Sequence, residues 1–285
     1  MTPVYTVSPS PEKGLGCFST ALIPAGTLIL SETPLFNVRE PRTNAAVLAA
    51  FLNLTSSEQE YYLTLYAQTA TARDAKVIDI FNSNAWQTGS RTSICPQAAR
   101  FNHSCVPNAS FAWNARLRNV TVYAIVAIPA NTEIFLSYER PYQTGYARRE
   151  KLSAYGFACS CVACGVGAET SDIRRARMAV LDARIRSQRR QLWRTEMPKA
   201  EVELVRLLKE EGIMGEALGL AHHDAAAGWR KYGRVDLAVR YAAKELEICM
   251  VCFGPDSPCV DTTRAFLLQL KAQLAKELTL VSEAP

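Results

Sequence analysis

Arg100-Phe-Asn102-His103-Ser104-Cys105-Val-Pro107-Asn108 is the stretch on which the reading of this 285-residue chain turns. Polar side chains crowd there between apolar, β-branched segments. Adjacent Asn102 and His103 offer several donors and acceptors to a polar ligand. Chemistry alone leaves an ordinary turn open, because a single histidine is more often a hydrogen-bonded structural residue than a ligand. Downstream, Val120–Ile128 reads as a strand, Pro129-Ala-Asn131 as a turn and Glu133–Tyr138 as the next strand. Upstream, Leu28-Ile29-Leu30 and Leu35-Phe36 read as short strands between turn residues. Ala45–Leu54 and Gln59–Gln68 instead carry apolar residues at helical spacing. Ser56 or Ser57 is the expected cap of the second helix, with Glu58 and Glu60 in its first turn.

The second signal is Cys159-Ser-Cys161-Val-Ala-Cys164. Closely spaced thiols wrap a metal ion, and zinc prefers four tetrahedral ligands with thiolates among the favoured ones. One ligand must therefore come from elsewhere in the chain. The nine cysteines are an odd number, which suits a disulfide framework poorly. Cys17, Cys95, Cys249, Cys252 and Cys259 read as small buried hydrophobes.

From about residue 171 the pattern is helical. Met178, Leu181, Ile185 and Leu192 mark one apolar stripe, and segments 200–211, 215–230, 234–252 and 257–281 follow. Gly233 and Gly254-Pro255 punctuate them, and Asp256 or Ser257 can cap the last. Paired helices of tetratricopeptide type are expected, although no clear repeat is visible.

Composition bounds the rest. With 48% hydrophobic and 21% charged residues, the chain suits a globular fold, not a disordered one. The net charge of +5 allows an acidic partner without requiring nucleic acid. No apolar run is long enough to span a membrane. Met1–Gly14 lacks the apolar core of a secretory signal. A cytoplasmic or nuclear location, no membrane partner and a monomeric state are the expectations. No Gly-x-Gly-x-x-Gly opens a helix after a strand, which disfavours a dinucleotide-binding fold.

Asn102-His-Ser-Cys-x-Pro-Asn108 resembles the signature of SET-domain lysine methyltransferases. Three further pieces resemble family motifs in the family's order: Lys13-Gly14-Leu15-Gly16-Cys17-Phe18, Glu133-Ile134 with Tyr138, and Tyr155-Gly-Phe157-Ala-Cys159-Ser-Cys161-Val-Ala-Cys164. The arrangement is most similar to the SET-and-MYND branch and its fungal relatives. The region around 37–45 holds no cysteine or histidine, so the MYND module of that branch is expected to be missing.

The resemblance implies an α+β fold. Small curved sheets with a pseudoknot are joined to a post-SET zinc site and a helical, tetratricopeptide-like C-terminal domain. The expected bounds are 1–140 for the SET domain with a helical insert at about 43–92, 141–170 for the zinc-binding segment and 171–285 for the helices. Lys13, Gly14, Leu15, Gly16, Asn82, Asn102, His103, Tyr138 and Phe157 would contact S-adenosylmethionine, with Phe157 along the adenine. Tyr138 would be catalytic, and Cys105 would join Cys159, Cys161 and Cys164 around Zn²⁺. The implied activity is methyl transfer to a lysine amine of a protein or peptide. The alternatives are the same chemistry on a small-molecule amine, or a non-catalytic scaffold.

Two features of the helical third stand apart. Arg174, Arg175, Arg177, Arg184, Arg186, Arg189, Arg190 and Arg194 read as a solvated helix face or as a docking surface for an acidic partner. His222-His223 is not expected to chelate jointly, since neighbours on a helix point apart.

Overall fold

The computed structural model describes residues 3–68 and 72–282. Residues 1 and 285, the expected outer bounds of the first and last domains, lie outside that range.

Short strands build the first half. β1 (Tyr5–Ser10) and β2 (Gly14–Ser19) form an antiparallel hairpin. β3 (Leu28–Glu32), β8 (Ala109–Asn114) and β9 (Asn119–Ala124) form one three-stranded sheet in the order β3-β9-β8. β4 (Phe36–Arg39), β5 (Ala85–Thr88) and β6 (Arg91–Ile94) form another in the order β4-β6-β5. The expected strand at Val120–Ile128 is interrupted. Ile125 leaves the sheet to pack against the helical third, and Ile128 returns only as an isolated bridge to Ile23.

The segment Glu133–Tyr138 organises the site. Its regular part is only β10 (Phe135–Leu136), which lies parallel to β7 (Asn102–His103). On its other side Glu133 bridges Phe18, and the Ile134 N–H donates to the Cys17 carbonyl at 2.8 Å. The segment is thus held between sequence-distant strands, as the expected pseudoknot requires. Cys17, Phe101, Val122, Ile134 and Leu136 are buried around it and remove apolar area from water.

α1 (Asn44–Leu52), α2 (Ser56–Leu63) and α3 (Arg73–Asn84) make up the insert and share a core of Phe36, Phe51, Tyr62 and Phe81. Thr55, not Ser56 or Ser57, caps α2. Its hydroxyl accepts from the Glu58 N–H, and Glu58 accepts from the Thr55 N–H at 2.8 Å. This reciprocal box satisfies two orphan donors, whereas the serines already have helical backbone.

α4 (Gly145–Ser153) leads into the cysteine segment. α5 (Ala168–Gln188), α6 (Lys199–Glu210), α7 (Glu216–Lys231), α8 (Val235–Phe253) and α9 (Pro258–Ser282) follow. Successive helices share the core of Met178, Leu181, Ile185, Leu204 and Leu208 and a second one around Ala226, Ala242 and Leu270. The stripe does not extend to Leu192, which is 90% exposed. α5 stops at Gln188, and the Arg194 N–H turns to the Lys231 carbonyl at 3.1 Å. A tertiary hydrogen bond there overrides the sequence spacing. No helix among the described residues is long and apolar enough to cross a membrane.

Candidate active site and metal centre

The threaded segment and its neighbours enclose a cavity of about 570 Å³. Lys13, Gly14, Leu15, Asn102, His103, Tyr138 and Phe157 all line it. Gly14 has φ +75°, a left-handed conformation that glycine adopts without strain, and it turns the chain at the rim. The Lys13 ammonium sits 4.5 Å from the centroid of the Phe135 ring. That contact holds a positive charge at the mouth.

Tyr138 lies beside His103 and Tyr155, with ring centroids 5.3 and 5.2 Å away, and stands edge-on to Phe157. Its hydroxyl donates to the Phe101 carbonyl at 2.6 Å. Burial pushes this phenol well above its ordinary range, with Tyr155 adding to the effect. The group therefore stays protonated and neutral near pH 7.

His103 is buried, and burial pushes its imidazole down to about 4. The Tyr138 N–H donates to Nδ1 at 2.9 Å. A backbone N–H can only donate, so Nδ1 is the acceptor and the ring proton resides on Nε2. Nε2 lies 3.3 Å from Cys105 Sγ. His103 thus ties the backbone of Tyr138 to the cysteine cluster.

Gly16 does not line the cavity. A Cβ at this position would collide with the Glu133 carboxylate and the Asn102 amide. Its bareness makes room for a hydrogen bond of 2.7 Å from Asn102 Nδ2 to Glu133, which also accepts from Ser10 Oγ at 3.0 Å. The Asn102 amide also donates to the Leu15 carbonyl at 3.0 Å. The side chains of Asn102 and His103 are thus bound within the protein.

Asn82 lies away from this cavity. It is exposed on α3 and borders a separate shallow groove with Asn44 and Asp74. Asn84 lines the cavity instead, its amide fixed to the carbonyls of Ile80 and Tyr66 at 2.7 and 2.8 Å. Two residues along a helix is more than half a turn, so only one asparagine of Asn82-Ser-Asn84 can face the cavity. Trp86, Phe111 and Tyr155 also line it. Trp86 lies on β5, two residues after Asn84, and Tyr155 stands in the same motif as Phe157, where the motif alone assigns it no role.

The sulfurs of Cys105, Cys159, Cys161 and Cys164 lie within 4.8 Å of one another. Cys105 Sγ is 3.9 Å from Cys159 Sγ and 3.6 Å from Cys164 Sγ. Thiolates about 2.3 Å from a tetrahedral zinc ion lie about 3.8 Å apart, so the donor set fits Zn²⁺. The thiols also divide electrostatically. Cys164 is lowered to about 6, first by its hydrogen bond with Cys105, while Cys105 is raised by its three neighbours. Four thiolates this close repel one another until a cation binds between them. Arg148, buried on α4, donates to the Ala163 carbonyl at 2.8 Å and lies 3.5 Å from Cys164 Sγ.

The arginine run is not a free basic face. Arg175 is 1% exposed and donates to the carbonyls of Cys105 and Pro141 at 2.8 and 2.7 Å, with Glu211 2.7 Å from its Nε. It fastens α5 to the backbone of a thiol ligand. Arg174, Arg177, Arg184, Arg186, Arg189 and Arg194 pair with Glu211, Glu203, Glu196, Asp182, Asp224 and Glu201. Asp182 stands within the run itself, but Glu201 and Glu203 come from α6, Glu211 from the cap that ends it and Asp224 from α7, which the run alone does not show. His222 and His223 do point apart: His222 is buried beside Tyr241, and His223 pairs with Glu245 at 3.0 Å.

Comparison with known proteins agrees with this architecture. Residues 14–139 match the SET domain family, and the chain carries a SET domain there. The histone-lysine N-methyltransferase set5 of Schizosaccharomyces pombe is 33% identical over 188 residues, covering 64% of this chain and 58% of that protein. The SET domain-containing protein SmydA-8, isoform B, of Drosophila melanogaster is 32% identical over 98 residues, covering 31% of this chain and 22% of that protein. These relatives bear out the SET-and-MYND-like resemblance. The chain spans less than two thirds of the length of either. Among solved structures, KRYPTONITE in complex with mCHH DNA, an H3(1–15) peptide and SAH has 16% identity and a TM-score of 0.27. It covers 48% of this chain and 23% of that one, a similarity too low to bear on function.

Proposed function

We propose that this chain is an S-adenosylmethionine-dependent N-methyltransferase acting on a lysine side-chain amine of a protein. The carrying observation is the placement of Tyr138: a neutral phenol, hydrogen-bonded to the Phe101 carbonyl, on a cavity rimmed by Lys13–Leu15, Asn102-His103 and Phe157. The SET domain and the resemblance to a histone-lysine methyltransferase support the same reading.

The cofactor supplies an electrophilic methyl on a sulfonium. This chain's residues hold and orient. Lys13 offers a cation to the amino-acid carboxylate, the main chain of Asn102 and His103 offers polar groups, and Phe157 offers an apolar face to the adenine. Asn84 replaces Asn82 in this assignment. The lysine nucleophile must be neutral, and an apolar, desolvated channel favours its uncharged form. Because the Tyr138 proton is directed to Phe101, its oxygen lone pairs are free to accept from the amine. Its raised pKa suits orientation and not proton abstraction, so the rate gain is positioning and electrostatics. Zn²⁺ held by Cys105, Cys159, Cys161 and Cys164 would fix the wall that carries Phe157.

Transfer of tritiated methyl groups from S-adenosylmethionine tests the reading. The zinc-replete chain is offered acid-extracted histones, lysine peptide pools and metabolite extracts. Label is expected on protein lysine and is lost with Tyr138→Phe. Label confined to the metabolite extract, or absent throughout, would refute it.

A further inference from the structure

Cys249, Cys252 and Cys259 lie outside the cavity and the metal centre. Cys249 and Cys252 are buried on α8, whereas Cys259, expected to be buried, is exposed in the first turn of α9. The Thr263 hydroxyl donates to Cys249 Sγ at 3.8 Å and to Glu245 at 3.2 Å. Cys259 is one helical turn before Thr263, so the same face of α9 presents both to Cys249.

We propose that Cys259 and Cys249 form a peroxide-reactive pair, Cys259 attacking and Cys249 resolving to a disulfide that joins α8 to α9. Thr263 meets both Glu245 and Cys249, so the position one turn earlier on α9 lies alongside Cys249. Cys249 is the largest influence lowering Cys259 to about 7, against burial and the carboxylates of Glu216 and Glu245, with His223 assisting. The same partnership, followed by burial, raises Cys249. An exposed thiol near the start of a long helix beside a protonated neighbour is the arrangement of an attacking and a resolving cysteine. In the first step the Cys259 thiolate forms an S–O bond as the O–O bond of hydrogen peroxide breaks. Sulfur is oxidised to the sulfenic acid, and the released hydroxide takes a proton to become water. In the second step Cys249 sulfur bonds to Cys259 sulfur, and the S–OH oxygen leaves with the Cys249 proton as water. Two thiols and one peroxide thus give one disulfide and two waters. Cys249 and Cys252 pack with Ile125, so the bridge would fasten α9 to the helix that buttresses β9.

The zinc-replete full chain treated with one equivalent of hydrogen peroxide, then alkylated and digested without reductant, tests this by peptide mapping. A Cys249–Cys259 linked peptide is expected as the main new species. Cys259→Ser removes it, and Cys249→Ser leaves a dimedone-trapped sulfenic acid at Cys259. At pH 7 iodoacetamide should label Cys259 about tenfold faster than an unperturbed thiol, from its larger thiolate fraction. A Cys259 that stays reduced, labels at the unperturbed rate or bridges to another cysteine would overturn the proposal.

Discussion

The two halves of this chain bury polar groups to opposite ends. Around the cavity the buried groups are neutral: His103 is held uncharged, Tyr138 is held protonated, and both are bonded to backbone or thiol. In the helical third the buried charges come in ion pairs. Arg175 sits on Glu211 and Arg194 on Glu201, each side chain largely excluded from water. Charges that are paired internally serve architecture. Neutral groups aimed into an enclosed space are suited to a ligand that brings its own charge, as a sulfonium does. The contrast explains why a run of eight arginines carries less functional information than one histidine.

Substitutions should separate the halves by readout. The largest effect is expected where they meet. Cys161→Ser should remove bound zinc and methyl transfer together, because structural zinc sites contribute roughly 10 kcal/mol or more to folding. Elemental analysis beside an activity assay checks this, and full activity in metal-free protein would break the link. Arg175→Met should destabilise the chain by about 1–3 kcal/mol, since buried Glu211 keeps Arg174 and Ser171 but loses one charged donor and the carbonyls of Cys105 and Pro141 lose theirs. Denaturant melts measure that change, and zinc retention should weaken because the Cys105 carbonyl loses its donor. Tyr138→Phe should instead leave melts nearly unchanged while turnover falls roughly 100- to 1,000-fold, with cofactor affinity held. Arg177→Ala, which breaks an exposed pair with Glu203, should leave the denaturant midpoint nearly unchanged.

Titration gives the smallest and most specific contrast. For Glu211, burial works to raise the carboxyl, but hydrogen bonds from Ser171, Arg175 and Arg174 outweigh it and the net shift is down. Its stabilisation is present above the unfolded value of about 4.3 and is lost as pH falls through the lower folded value. His223 is raised, first by its hydrogen bond to Glu245. Its contribution is full below about 6.5 and fades as pH rises through the folded value. His223→Ala should therefore flatten a shallow decline in melting temperature on the alkaline side and leave the acid limb intact.

Much of this was legible in the sequence because the informative residues are consecutive. Asn102–Asn108 and Tyr155–Cys164 announce themselves as motifs, and the cavity uses them where they stand. The unread parts depend on partners far along the chain. Gly16 reads as a ligand contact, and that its bareness makes room for Glu133 and Asn102 is seen only once the strands cross. Asn82 and Asn84 differ only in which side of α3 they occupy, and the helix phase relative to β5 is a tertiary fact. Thr55 outcompeted two serines as a cap by reciprocal bonding with Glu58. Arg175 looked like surface until Cys105 and Glu211, 70 and 36 residues away, were seen around it.

The most direct test of the account is calorimetric titration of S-adenosylhomocysteine into the zinc-replete chain and its Asn84→Ala and Asn82→Ala variants. The account predicts one-to-one binding, weakened by Asn84→Ala and untouched by Asn82→Ala. No binding to the unaltered chain, or weakening by Asn82→Ala alone, would contradict it.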